Sequence, residues 1–246
     1  MQLPGFVAVV VAASFCHGIA LAAPVSVNVG SETISIPEPR ELVALRNHDS
    51  AYYKFNSEMQ ASSGNRLLAA FLPPADANAA DSGKVPSPRD WAIAFSLGPV
   101  GGQPVTREQY RKELVPVLDA QLEKMMGDEK LRKKVDAASD QATERLLEGR
   151  GADPKGATLR LGVISPLGVY ARKDNYYVYG SGTKISVTTP KGVVEEIPLV
   201  MVVGWIAVKS RLFAVGVYRR LGSREDIDAA KARALQWAEA IARANP

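Results

Sequence analysis

The chain has 246 residues, of which 46% are hydrophobic and 23% are charged, a balance typical of a globular protein. Its 30 basic and 26 acidic side chains give a net charge of +4, which favours solubility and also permits contact with an anionic surface or an acidic partner. One cysteine and two histidines exclude a disulfide framework and a histidine-rich zinc site. The sequence contains no dense basic stripe interleaved with aromatic residues, so nucleic acid is not an expected partner.

Residues 1–22 are predicted to be a cleavable signal peptide. The run over 6–13 is apolar and uncharged, and Ala20 and Ala22 are the small residues that a signal peptidase reads. Cleavage before Ala23 would remove 22 of the 246 residues and leave 224. The first five residues lack Lys and Arg, so an uncleaved anchor remains the alternative. We therefore expect an exported protein, periplasmic or secreted, with no stable transmembrane span after cleavage.

Cleavage would also narrow the possible chemistry. It removes Cys16 and His17, so the remaining chain keeps no cysteine and only one histidine, His48. A thiol nucleophile, a thiolate metal site and paired imidazoles are then all missing. Because no cofactor motif occurs either, we expect no cofactor, no metal and a protein that is not an enzyme.

The first 98 residues are predicted to combine strands with irregular segments. The alternation of apolar and polar residues and the Pro and Gly positions define the elements. They are a strand or hairpin over 25–36 turning at Gly30-Ser31, a short helix over 40–46, an irregular polar stretch over 47–64, paired strands over 66–72 and 91–97, and between these a surface loop with room for one helical turn.

The middle of the chain is predicted to be helical. Thr106 and Gln109 form a capping box that begins a helix, and Pro116 should kink it because proline lacks an amide hydrogen. Asp128 caps a second, charged helix that ends near residue 148, and a Gly-rich stretch follows. Residues 128–156 are therefore interpreted as a helical insertion with its linker, and the charged helix could attach to an anionic membrane.

The last 90 residues are predicted to be rich in strands, with one terminal helix. Strands are expected at 159–163, 167–173, 176–179 and 184–189, with turns at 174–175 and 190–192. Two strongly apolar runs, 199–208 and 212–218, flank Lys209-Ser210-Arg211, which favours a buried antiparallel hairpin over the competing transmembrane helix. Ser223 and Asp226 then cap a final helix whose buried face carries Ile227, Ala230, Ala234, Trp237 and Ile241.

This order of elements predicts an α+β fold over 23–246, a single domain with a mainly antiparallel sheet flanked by helices. The chain resembles a group of uncharacterised exported proteins of Gram-negative bacteria and, more loosely, the PsbP-like α/β/α sandwich. The resemblance rests on the order of elements and on short motifs, GSETISIP at 30–37, NRLLAAF at 65–71, KSRLF at 209–213, and Trp237 with Ala244-Asn245 near the end. It implies a binding or accessory module, since PsbP is a non-enzymatic subunit, and it supplies no catalytic signature.

Most candidate catalytic groups have a simpler structural explanation. Residues 180–184, Gly-Ser-Gly-Thr-Lys, lack the P-loop spacing and the following helix, so a hairpin turn is expected there. His48 is expected to be a solvent-exposed loop residue. Neighbouring carboxylates at Glu195-Glu196 and Asp226/Asp228 leave a carboxylate-dependent hydrolase of envelope glycan as the alternative function.

The leading functional candidate is a cluster of tyrosines and cations near one predicted hairpin. Aromatic rings with polar tips and a neighbouring cation are typical of recognition surfaces. The proposed patch for an unknown protein or envelope component consists of Tyr170, Arg172, Lys173, Tyr176, Tyr177 and Tyr179.

Overall fold

An antiparallel sheet runs through the centre of the molecule, in a computed structural model that describes residues 23–98, 101–124, 158–188 and 194–246. The predicted signal peptide at 1–22, the predicted insertion and linker at 128–156, and the predicted turn at 190–192 lie outside these residues. The α+β class predicted from the sequence is confirmed.

The first part of the chain supplies three paired strands, a separate hairpin and two helices. These elements are β1 (Val25–Val29), β2 (Glu32–Ile36), β3 (Val43–Ala44), α1 (Ala51–Ser62), β4 (Arg66–Leu72), α2 (Pro74–Asp81) and β5 (Asp90–Ser96). A helical segment follows, made of α3 (Arg107–Gln109), a π-helical turn (Tyr110–Leu114) and α4 (Val115–Lys124).

The second part supplies the remaining strands and the terminal helix. These are β6 (Thr158–Leu161), β7 (Ser165–Arg172), β8 (Tyr176–Thr188), β9 (Val194–Val208), β10 (Arg211–Arg220) and α5 (Arg224–Ala244). The strand order is β3-β4-β5-β10-β9-β8-β6, and β7 also pairs with β8. The strand β10 therefore joins the two halves of the chain, since it lies between β5 and β9.

Helices cover both faces of the sheet. On the first face, here face A, α5 and the β1–β2 hairpin pack on the sheet through residues such as Ile36, Ala234, Trp237 and Ile241. On the opposite face, face B, α1, α2 and the α3–α4 segment pack through residues such as Tyr52, Ala80 and Tyr110. Because a strand exposes alternate residues on opposite sides, each central strand contributes to both cores.

Two predictions near the N-terminus are wrong. Residues 40–46 form a turn and the short strand β3, because Glu41 adopts a left-handed backbone with φ 65° and the Ala44 amide donates to Glu38 Oε1 at 2.8 Å. The stretch 47–64, predicted to be irregular, contains α1. Ser50 caps this helix by accepting from the Tyr53 amide, and its buried face includes a polar residue, Asn56, which weakens the apolar periodicity.

Two loop predictions also need correction. The surface loop after β4 contains α2, a helix of 8 residues in place of a single turn, and Pro74 begins it at a position where a missing amide hydrogen does no harm. Residues 180–184 are neither a hairpin turn nor a phosphate loop, because they lie inside the 13-residue strand β8. Small residues at 180 and 182 suit a strand against which other groups pack closely.

The capping and kink signals of the middle helix are confirmed in part. The Thr106 hydroxyl accepts from the Gln109 amide at 3.1 Å, and Gln109 Oε1 accepts from the Thr106 amide at 3.0 Å. The irregularity expected at Pro116 takes the form of the π-helical turn directly before it, in which the Val115 amide donates to the Tyr110 carbonyl.

The apolar pair at 199–208 and 212–218 forms the predicted antiparallel hairpin of β9 and β10. Lys209 and Ser210 have φ values of 47° and 55°, which suit a type I′ turn between twisted strands. In the described part of the chain, no helix is both long and apolar enough to cross a membrane.

Candidate functional site

The six residues of the predicted tyrosine patch are divided between the two faces of the sheet. Tyr177 and Tyr179 lie in the face B core and are 0% and 8% exposed. Tyr170 and Tyr176 pack against the face A core. Neighbouring positions on one strand point in opposite directions, so Tyr176 and Tyr177 cannot contact the same partner surface.

The face A tyrosines contact the terminal helix. The Lys231 ammonium lies 4.9 Å from the Tyr170 ring centroid, a cation–π contact, and the Tyr170 ring covers the strand at Gly180. Burial raises the pKa of the Tyr176 hydroxyl, and Glu239 of α5 raises it further. Lys173 is exposed, in the tight turn between β7 and β8, where its amide donates to the Tyr176 carbonyl.

The face B members form a clamp between α4 and the sheet. The Asp119 carboxylate accepts from Arg172 Nη2 at 2.7 Å and from the Tyr177 hydroxyl at 2.6 Å. The Arg172 guanidinium also lies over the Tyr177 ring, 5.7 Å from its centroid. Hydrogen bonds from Arg172 and Tyr177 hold the pKa of Asp119 below its usual range. Arg172 and Tyr177 thus satisfy each other and Asp119 within the protein.

A second aromatic cluster, which sequence reasoning missed, lies at the centre of face B. Its five half-buried side chains, here called the aromatic strip, come from three adjacent strands and are Trp91, Met201, Val203, Trp205 and Tyr218. The register places Tyr218 directly between Trp91 of β5 and Met201 of β9. The aromatic strip is therefore built by pairing of strands that lie more than 100 residues apart in the chain.

The rings of Trp91 and Tyr218 form a stacked cross-strand pair. Their centroids are 5.2 Å apart and their planes differ by 5°. A glycine makes room for this arrangement, because a Cβ on Gly216 would meet the Tyr218 ring at 2.8 Å. The Tyr218 ring thus lies along the strand over Gly216 and presents a flat surface together with Trp91.

Trp205 extends the aromatic strip towards the helical segment. Its backbone carbonyl accepts from the Tyr110 hydroxyl of the π-helical turn at 3.2 Å. Its indole Nε1 is inaccessible to solvent and has no hydrogen-bond partner of acceptable geometry. A donor without an acceptor in this setting carries a free-energy penalty of roughly 1–3 kcal/mol, which a bound acceptor would relieve.

One cation lies at the end of the aromatic strip. Arg220 follows Tyr218 by two residues on β10, so both side chains point to face B. Its Nη2 donates to the Ser87 hydroxyl. Burial raises the pKa of Tyr52 on α1, and Arg220 opposes this rise, which places its charge near the Tyr52 hydroxyl. Burial also raises the pKa of Tyr218.

The carboxylates at the start of α5 serve an internal ion network. Asp226 accepts from Arg219 at 2.7 Å, from Arg89 at 2.6 Å, and from the amides of Gly222 and Ser223. These hydrogen bonds, led by that of Arg219, hold its pKa well below the usual range. A carboxylate held ionised cannot act as the general acid that a two-carboxylate hydrolase requires.

The network continues across the face A core. Arg219 also donates to Asp90 at 2.7 Å, and Arg233 of α5 bonds both Asp90 and Glu41, at 3.0 Å and 2.9 Å. These bonds tie α5 to β5, to β10 and to the loop before β3. Their geometry indicates a structural function.

The remaining candidate residues are separate from one another. His48 is exposed in a loop, as predicted, and stacks on Tyr53 at 4.3 Å. Glu195 and Glu196 are exposed on β9, where Glu196 pairs with Lys184 at 2.9 Å. Among the described residues, no group of three or more His, Cys, Asp or Glu side chains is arranged to hold a metal ion.

Known proteins give no counterpart to this arrangement: no protein-family model and no curated protein matches the chain.

Proposed function

We propose that this protein is an exported, non-enzymatic binding module, periplasmic or secreted, and that the aromatic strip is its binding surface. The observation that carries the proposal is the stacked, half-buried pair of Trp91 and Tyr218 at the centre of face B. Large aromatic side chains that remain partly accessible between covering helices are typical of ligand and partner sites.

The charge arrangement supports binding without catalysis. In the described part of the chain, Asp90, Asp119 and Asp226 are each engaged by arginine. Such carboxylates are held ionised by their partners and are poorly suited to transfer protons. The helices on both faces also agree with the PsbP-like resemblance, which favours an accessory function, and the apolar run at 6–13 supports export.

Fluorescence of a neutral apolar probe, N-phenylnaphthylamine, tests the proposal. We expect saturable binding to the purified protein, because the probe's rings can stack on Trp91 and Tyr218. Trp91→Ala should weaken binding about tenfold or more, since it removes half of the stacked pair. Tyr176→Ala, which removes a half-buried ring from face A, is the matched control and should leave the affinity unchanged.

The same preparation tests the alternative function. Non-saturable binding, or equal binding by the Trp91→Ala variant and the wild type, would contradict the proposed binding surface. Release of soluble fragments from purified envelope glycan would instead support a carboxylate-dependent hydrolase, and its loss in an Asp226→Asn variant that remains folded would identify the acid.

A further inference from the structure

We infer that the aromatic strip binds a flat aromatic small molecule that carries one negative charge, with its rings on Trp91 and Tyr218 and its anionic group on Arg220. This inference rests on the proposed binding function and specifies the chemistry of the ligand. It combines the stacked ring pair, the position of one arginine and the partners of the neighbouring charges.

The register places the cation beside the rings. Arg220 and Tyr218 are successive face B residues of β10, and such residues are about 6.8 Å apart along a strand. The Arg220 backbone is fixed by its amide, which donates to the Arg89 carbonyl at 2.9 Å. A ring stacked on Trp91 and Tyr218 can therefore carry its acidic substituent to the guanidinium without crossing the sheet.

Arg220 differs from its neighbours in how it is neutralised. Arg89 and Arg219 pair with Asp226, whereas the partner of the Arg220 guanidinium is the hydroxyl of Ser87. Across the described ranges, no carboxylate lies within 4.0 Å of Arg220. A guanidinium has five N–H donors, so it retains donors for a carboxylate or a sulfonate.

The surrounding charges limit the ligand to a single negative charge. Asp76 of α2 also faces this end of the aromatic strip, since it raises the pKa of Tyr52 alongside the larger effect of burial. Its carboxylate offsets part of the positive potential of Arg220. A second anionic group on the ligand would meet Asp76 without a cation of its own, which disfavours dianions.

The rings favour a flat ligand over a flexible chain. The planes of Trp91 and Tyr218 differ by 5°, so they offer a continuous π surface to a planar molecule. The buried Nε1 of Trp205 has no acceptor in the protein and marks the far end of the same surface. A planar ligand loses little conformational entropy on binding, which adds to the preference.

Two probes with the same ring system, anilinonaphthalene sulfonate and N-phenylnaphthylamine, differ by one negative charge and test the inference. We expect the sulfonate to bind about tenfold more tightly than the neutral probe at low salt, with the difference shrinking as salt is added. Arg220→Gln should remove most of this difference. Arg224→Gln removes an equal charge from the exposed start of α5 and should preserve it.

Each outcome has a defined meaning. Equal affinities for the two probes, or equal effects of Arg220→Gln and Arg224→Gln, would overturn the anionic preference while leaving the binding module intact. Failure of both probes to bind would overturn the proposed function as well. Cooperative thermal unfolding of every variant serves as the folding check, because a loosened core would also take up these dyes.

Discussion

At the scale of single residues, Asp119 connects a helix to the sheet through two different bonds. Tyr177 is 0% exposed, so its hydroxyl depends on Asp119 Oδ1, 2.6 Å away, as its acceptor. Arg172 remains partly in water, with 54% of its side chain exposed, so its ion pair contributes less than the buried hydrogen bond. Tyr177 therefore functions in packing and not in recognition.

Asp119→Ala should lower the free energy of unfolding by roughly 1–3 kcal/mol, because it leaves the buried Tyr177 hydroxyl without its acceptor. Urea denaturation at neutral pH measures the change. Glu108→Ala, which breaks an exposed ion pair with Lys112 in the same helical segment, is the control and should change stability by less than about 0.5 kcal/mol. Equal losses in both variants would argue against a clamp.

Gly216 determines the position of the Tyr218 ring. In Gly216→Ala, the new methyl group would meet the ring at 2.8 Å, and the ring, being a mobile side chain, would move away from Trp91. We expect the affinity for N-phenylnaphthylamine to fall about tenfold while stability falls by less than about 2 kcal/mol. Gly102→Ala has open space around its Cβ and should leave the affinity unchanged. Unchanged probe binding in Gly216→Ala would separate the strip from the ring position.

At the scale of elements, the β9–β10 hairpin depends on a turn of unusual composition. Lys209 and Ser210 both adopt positive φ, although Asn and Gly are the residues preferred there. The Ser210 carbonyl accepts from the Val105 amide at 2.9 Å, and Lys209 Nζ donates to the Thr33 carbonyl at 3.1 Å. These contacts hold the turn in place and join the hairpin to the segment before α3 and to β2.

Ser210→Gly should stabilise the protein by roughly 0.5–1 kcal/mol, because glycine adopts φ 55° without the steric strain of a Cβ, and the carbonyl bond to Val105 is retained. The midpoint of thermal unfolding is the measurement. Ser186→Gly lies within β8 and is the opposite control, since glycine in a regular strand should destabilise it. A loss of stability in Ser210→Gly would contradict the turn assignment.

At the scale of the whole molecule, the arginine–carboxylate network joins both halves of the chain. Arg219 of β10 bonds Asp226 and Asp90, while Arg233 of α5 reaches Asp90 and Glu41. The side chain of Asp226 is 3% exposed, so its charge depends on its partners inside the protein. Breaking such a pair leaves a buried cation uncompensated.

This network makes stability depend on acidic pH. The pKa of Asp226 is lower in the folded protein than its ordinary value of 3.8, so its contribution is fully present above that value and is lost as the pH falls below it. We expect the urea midpoint to be constant near neutral pH and to fall below about pH 4. A midpoint that rises on acidification would contradict this linkage.

Asp226→Asn should lower the free energy of unfolding by roughly 3–5 kcal/mol at neutral pH and should flatten the decline in acid. The comparison of urea midpoints across pH measures both effects. Asp49→Asn removes an exposed carboxylate, 93% accessible and paired with Lys54, and should shift stability by less than about 1 kcal/mol. An Asp226→Asn profile parallel to the wild type would reject the assignment.

Local patterns in the sequence were sufficient for the elements whose signals are strong. The apolar runs at 66–72, 91–97 and 199–218 became strands, and the caps at Thr106 and Ser223 begin helices as predicted. The helix α1 was missed because its buried face includes Asn56, so burial there depends on a hydrogen bond to the Tyr52 carbonyl. Propensity and periodicity describe such local choices, since both act between near neighbours.

The sequence by itself determined the α+β class, the apolar β9–β10 hairpin and the shortage of cysteine and histidine, because these follow from composition and local pattern. Only the tertiary structure decided which aromatic residues share a surface. Strand alternation separates Tyr176 from Tyr177, while the register of β5, β10 and β9 brings together Trp91, Tyr218 and Met201. A face of a sheet is shared across strands and not along one strand, so proximity in sequence could not predict the aromatic strip.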